Sequence, residues 1–183
     1  VETKWQPTDN TKPTPMIKKR LVANQVIIAY MRKVSSFDTY TVKPVLKAKV
    51  AGKLLKASAG IRIKKASKFI DLIFEVARRE EDWEKYFSEK MKLYKDFYDN
   101  FVQFDCGYEK SPQLIFVCED EKHMVEVFKL IVTNKLEIDG LKLLFTTDLK
   151  QNENKLDESL CEFVLDEKTK KYKIENVKLA ILG

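Results

Sequence analysis

The segment from Phe69 to Arg78 constrains the fold more than any other stretch of the chain. Alternate residues of a strand point to opposite faces. One face here would carry Ile70, Leu72, Phe74 and Val76, and the other Phe69, Asp71, Ile73, Glu75 and Ala77. A strand that is apolar on both faces must be covered on both. The two acids lie among apolar side chains, where they are costly if buried and need a reason. Leu114 to Cys118 is a second apolar run, as expected of a buried parallel strand, and Leu141 to Thr147 is a third strand.

Other elements follow from local signals. Residues 1–15 hold three prolines among Thr, Asp and Asn and read as an extended linker or lead-in. A helix is expected from Met16 to Lys33, with Thr14 as its cap and Pro15 in its first turn. Residues 37–50 read as extended. Lys47 and Lys49 point one way and Leu46, Ala48 and Val50 the other, and Pro44 favours an edge strand. A short strand follows at about Gly60 to Lys64.

Asp82 is a candidate N-cap for a helix reaching about Phe101. Its stripe of Trp83, Phe87, Met91, Tyr94, Tyr98 and Phe101 has core spacing. Glu119-Asp120-Glu121 opens another helix, residues 150–159 read as a polar loop, and Glu162 onward forms a terminal hairpin or trails away. The early strands would form a meander and the later ones would join through helices. The expected fold is α/β: a mixed sheet flanked by helices, in one domain spanning 16–183, with its core at 16–148 and an extension at 149–183.

Composition excludes several chemistries. The 183 residues contain one histidine, His123, so a two- or three-His zinc site and a relaxase-type His pair are both ruled out within this chain. In Glu-Asp-Glu-Lys-His-Met, His123 reads as exposed in the first turn of a helix. The five glycines form neither a phosphate loop nor a dinucleotide fingerprint. Three separated cysteines fit no disulfide framework, which points to a reducing, cytoplasmic setting. No apolar run is long enough to span a bilayer, so no membrane partner is expected. The chain starts at Val1, which suggests a trimmed fragment or the back half of a longer chain.

The net charge of +6 conceals a split. Residues 1–68 hold 16 Lys and Arg against 3 Asp and Glu, a net of +13, and the remainder has a net of −7. A basic third suggests an anionic partner, with nucleic acid the first candidate.

Several phrases then resemble one family. They are Lys19-Arg20-Leu21-Val22-Ala23-Asn24-Gln25-Val26, Phe74-Glu75-Val76-Ala77-Arg78-Arg79-Glu80, Glu89-Lys90-Met91-Lys92-Leu93-Tyr94, Pro112-Gln113-Leu114-Ile115-Phe116-Val117 and Leu144-Phe145-Thr146-Thr147-Asp148. In this order they resemble the replication-relaxation family of plasmids and mobile elements. That family is related to conjugative relaxases with the PD-(D/E)xK, or restriction-endonuclease-like, fold. The resemblance implies a winged-helix domain ahead of this one, and a site where an Asp and an acid two residues before a Lys hold Mg²⁺ to cleave DNA.

Glu75 matches the third-strand acid of that pattern. The Lys position is Ala77, and the Asp position falls in Ala57-Ser58-Ala59-Gly60, which has no carboxylate. Asp71 lies four residues from Glu75, about 13 Å along a strand, too far to share one ion. Lys90, Lys92 or Arg78 is a candidate migrated cation, and Asp120 a candidate migrated acid. Metal ligation, if the site is active, would fall to Glu75 and Asp120, with Glu75 catalytic.

The expected function is DNA binding, or assembly of a transfer or replication complex, on a degenerate nuclease-like site that needs no cofactor. An active Mg²⁺-dependent nickase and a protein-interaction module without DNA binding are the alternatives. Tyrosine nucleophile chemistry stays open, since Tyr40, Tyr94, Tyr98 and Tyr108 share no distinguishing context. Candidate DNA contacts are Lys18, Lys19 and Arg20 on the first helix, Lys43, Lys47 and Lys49 near the edge strand, and Arg78 and Arg79 after the third strand. For the two arginines, ion pairing with Glu80, Glu81 or Asp82 is the structural alternative.

Overall fold

A computed structural model of the chain describes residues 14–33, 39–42, 46–65, 67–104, 106–153 and 156–179. Its centre is the acid-bearing strand, β5 (Lys68–Val76). Preceding it are a long helix, α1 (Thr14–Lys33), and four short strands: β1 (Thr39–Val42), β2 (Lys47–Val50), β3 (Lys53–Lys56) and β4 (Ala59–Lys65). Helix α2 (Trp83–Asp99) leads from β5 to β6 (Gln113–Cys118), and α3 (Glu121–Thr133) leads on to β7 (Leu144–Thr147). Two short helices, α4 (Asp148–Glu153) and α5 (Leu156–Ser159), precede a terminal hairpin of β8 (Cys161–Asp166) and β9 (Lys171–Asn176).

Among the described residues the main sheet has seven strands in the order β1-β4-β5-β6-β7-β8-β9. β1, β4 and β5 run antiparallel as a meander, while β5, β6 and β7 are parallel and joined by α2 and α3. The mixed sheet with helical crossovers is the one expected from the sequence. α1 covers one face, with Ala23, Val26 and Tyr30 packed on Ile61, Leu72, Phe74 and Ile115. The other face of β5 and β6 lies under α2 and α3, where Phe87, Met91, Tyr94 and Phe97 meet Ile73, Phe116 and Phe145. Both faces of β5 are thus covered, as its sequence requires. The aromatic stripe of α2 is core, with Trp83, Tyr98 and Phe101 partly buried at its margins.

Asp71 is buried and takes a two-pronged ion pair from Arg62 across the β4–β5 ladder, at 2.8 Å from Nε and 2.6 Å from Nη2. The same guanidinium reaches Glu109 at 3.0 Å and lies 4.3 Å from the centre of the Phe69 ring. Next to it, Gly60 lets the chain pass close under Tyr108, whose Oη would be 3.0 Å from any added Cβ.

Three expectations need correction. Lys47 and Lys49 are not on an edge of the main sheet. β2 pairs with β3 in a separate hairpin whose Leu46, Ala48, Val50 and Leu55 are buried in the α2-side core. The alternation of lysine and apolar faces holds, but Pro44, which suggests the edge, lies outside the described residues. Asp82 does not cap α2 with its side chain, because its backbone is left-handed (φ 56°) where a capping residue is extended. Residues 148–153 and 156–159 are helical turns, not loop. The polar composition that suggests a loop hides the buried Gln151 and Ser159.

Two of the three thiols, Cys118 on β6 and Cys161 on β8, are fully buried. Among the described residues no helix is long and apolar enough to cross a membrane.

Replacing Arg62 by Met leaves Asp71 charged and buried without its cation, and should cost about 3 kcal/mol of unfolding free energy. Arg62→Met/Asp71→Leu should recover most of that loss. Urea denaturation of both variants measures it. A single-variant loss below about 1 kcal/mol would mean that the pair behaves as a surface contact.

Candidate functional site

The carboxyl end of β5 opens into a cleft of about 140 Å³. Its lining includes Lys19 from α1, Ser58 just before β4, Glu75, Arg78, Glu80, and Lys90 from α2. Glu75 points to the α2 face because it alternates with Phe74 and Val76, which face α1. Its Oε1 accepts a hydrogen bond from Lys90 Nζ at 2.7 Å, and its Oε2 one from Tyr94 Oη at 2.9 Å. Lys90 and Tyr94 are four residues apart on one helix face, the spacing that lets both reach the same carboxylate. Burial, and then the Glu75 charge, push the Tyr94 phenol well above its ordinary range.

Ser58 lies in the Ala57-Ser58-Ala59-Gly60 stretch, where the Asp of the nuclease pattern is expected and none is present. Its amide donates to the Phe74 carbonyl at 2.9 Å, and its Oγ accepts from the Val76 amide at 3.1 Å, so it is bound to β5 on both sides of Glu75. Of the candidate cations Lys90 is the one that pairs with Glu75, while Lys92 is exposed. The second acid is not supplied. Glu75 is paired in register with Phe116, four residues before Asp120, which places Asp120 about 13 Å further along the strand direction. Asp120 instead caps α3, accepting from the His123 amide at 2.7 Å, and binds Arg79.

Glu75 and Asp120 are therefore not brought together. Among the described residues no group of three or more His, Cys, Asp or Glu converges on a cation position. Mg²⁺ demands near-octahedral oxygen ligands at about 2.1 Å. One carboxylate already holding an ammonium and a phenol, beside a serine, does not fit it.

The candidate DNA contacts separate into two groups. Arg78 is buried and gives both Nη2 hydrogen bonds to Asp148 at 2.8 Å, while its buried Nη1 has no hydrogen-bond partner among the described residues. Arg79 binds Glu119, Asp120 and Glu126, at 3.3, 2.8 and 2.9 Å. Arg79 holds the Asp120 carboxyl well below its usual range, helped by the His123 amide. Both arginines are ion-paired, to acids far along the chain and not to the adjacent Glu80, Glu81 or Asp82. Glu80 pairs instead with Lys19, at 3.3 Å. Lys18, Arg20, Lys47 and Lys49 are exposed, and Lys43 lies outside the described residues.

No family model matches the chain, so the replication-relaxation resemblance finds no support from that side. No curated protein matches it either. Among solved structures, an XisH family protein from Nostoc punctiforme is similar at 12% identity with a TM-score of 0.42, over 71% of this chain and 94% of that one. The strand order and register above define the fold without it.

The tyrosines and the histidine take definite places. Tyr98 Oη donates to the Pro112 carbonyl at 2.9 Å, and burial raises its phenol well above normal. Burial pushes Tyr108 up to about 12. Neither these two nor Tyr94 is activated as a nucleophile, and the side chain of Tyr40 lies outside the described residues. His123 is not exposed as expected but fully buried. Its ring meets Trp83 edge-on with centroids 5.0 Å apart, and its Nδ1 accepts from the Glu119 amide at 3.3 Å. His123 shares the inward face of α3 with Met124, Val127 and Ile131, an apolar spacing the surrounding charges obscure.

Two outcomes test these assignments. Lys90→Met should destabilise the fold by about 3 kcal/mol, because it strands a buried carboxylate, and Glu75→Gln/Lys90→Met should restore much of it. Thermal unfolding of the pair checks this. Burial, and then Arg79, depress the His123 pKa below its ordinary 6.5. Its contribution to stability is therefore complete above about pH 6.5 and is lost as pH falls towards the depressed folded value. The stability of His123→Phe should vary less than wild type between pH 7 and 5 in denaturant titrations.

Proposed function

We propose that this chain binds DNA on a nuclease-like fold without cutting it. We place it with the replication-relaxation-type proteins of plasmids or other mobile elements, acting on DNA directly or assembling a transfer or replication complex. The observation that carries the reading is the cleft at the end of β5. Its motif acid is held by Lys90 and Tyr94, Ser58 lies in the stretch where the pattern has its first carboxylate, and the buried Arg78 Nη1 has no partner among the described residues. A buried donor left unmatched costs free energy that an anionic ligand would recover. Lys19 and Lys90 bring two further cations to the lining, each held by one acid, Glu80 and Glu75, that a phosphate would compete with.

A second reading rests on the terminal hairpin. Leu165, Tyr172 and Ile174 are each about 45% exposed there and form an apolar face that suits a protein partner.

Fluorescence anisotropy on labelled DNA should show affinity that falls steeply with salt through counterion release. Supercoiled plasmid with Mg²⁺ or Mn²⁺ should stay intact. Undetectable or salt-insensitive binding would overturn the DNA reading and favour the protein partner. Nicking abolished by Glu75→Ala would establish an active enzyme.

A further inference from the structure

The β2–β3 hairpin is built as a ribbon with two unlike faces. Its turn, Ala51-Gly52, has positive φ at both residues (46° and 77°), the two-residue geometry that matches strand twist and fixes register. In that register Lys47 is opposite Lys56, Ala48 opposite Leu55, and Lys49 opposite Leu54. Ala48 and Leu55 are buried under α2, which holds the ribbon to the body. Lys47, Lys49 and Lys56 are exposed on the other face, with Leu54 65% exposed among them.

This face is costly in isolation. Like charges directly opposite each other across a ladder destabilise it, and Lys47–Lys56 is such a pair. Among the described residues neither these two lysines nor Lys49 has an acidic partner. An exposed leucine between them adds apolar surface. A face with these properties fits a surface that offers anions along its rims and an apolar, polar-edged floor between them.

The major groove of duplex DNA has that form. It is about 12 Å wide, admits a two-stranded ribbon, and presents thymine methyls on its floor. Two paired strands are about 4.8 Å apart, which leaves lysines on either side within reach of both phosphate walls. The major groove of A-form RNA is too deep and narrow for this. The ribbon is also continuous with the cleft: β3 ends at Lys56, two residues before Ser58.

We infer that β2–β3 lies flat in the major groove of duplex DNA, with Lys47, Lys49 and Lys56 on phosphates and Leu54 against the base edges. The inference rests on the DNA-binding reading above and assigns its substrate class, duplex over single strand and DNA over RNA.

The test uses the full chain in anisotropy titrations against a labelled DNA duplex, one of its single strands, and the matching RNA duplex. Wild type should bind the DNA duplex most tightly. K47Q/K49Q/K56Q should lower the slope of log affinity against log salt by about 2.7, at about 0.9 for each phosphate no longer neutralised. K168Q/K170Q/K171Q removes as many exposed lysines from the turn of the terminal hairpin and the first residue of β9, and should leave the slope unchanged. Leu54→Ala should weaken duplex binding several-fold at constant slope. A hairpin variant that matches the control, or wild-type binding to single strands or RNA as tight as to the duplex, would overturn the inference while leaving DNA binding intact. Failure of wild type to bind any DNA would overturn both readings.

Discussion

The carboxylates of Asp71 and Glu75 stand on a covered face of β5, where a buried acid is costly unless a cation is brought to it from elsewhere. Arg62 arrives from the adjacent strand, and Lys90 arrives from the helix laid over the sheet. These two demands fix how β4 and α2 meet β5. The Arg62 pair ties the β4–β5 ladder at one end, while the Lys90 and Tyr94 bonds set how α2 lies at the other. Apolar cover alone would let α2 slide or rotate over Ile73 and Phe116 at little cost. Two polar bonds to one carboxylate remove that freedom.

The same interaction decides what the cleft can do. A carboxylate that accepts from an ammonium and a phenol has few lone pairs left for a cation. Its neighbour Ser58 donates to and accepts from the backbone of β5, so its polar groups are engaged by the sheet. Arg78 and Arg79 follow at once but turn to acids on the parallel strands and helices, Asp148 and the Glu119–Glu126 group. The charge split of the sequence thus has two parts. Lys19 and Arg62 cross from the basic third to pair with Glu80 and Asp71. Among the described residues Lys47, Lys49 and Lys56 make no such crossing.

Much of the architecture was legible in the sequence, because the strongest signals were periodic. The double-faced run at β5, the continuous run at β6 and the aromatic spacing of α2 each placed an element and its buried side. What stayed hidden depended on long-range geometry. Nothing local says that residues 46–57 leave the sheet to form their own hairpin. The left-handed backbone at Asp82 overrides a good capping residue, and Trp83 packed on His123 overrides a polar neighbourhood. At the site, Glu75 could be read directly as an acid on a strand covered on both faces. Lys90 was one of three candidate cations, and its i, i+4 relation to Tyr94 was the clue that would have singled it out. The partners of Arg78 and Arg79 could not be read, because their acids lie 40 or more residues away and depend on the parallel register.

The thiols of Cys118 and Cys161 are walled in by the sheet and its helices, and burial raises both, Cys161 to about 11. A thiol so placed forms almost no thiolate, and thiolate is the species that oxidises or exchanges. These two side chains therefore act as small hydrophobes, and packing alone keeps them reduced. Their free state is a property of the fold and is no record of the compartment in which the chain works.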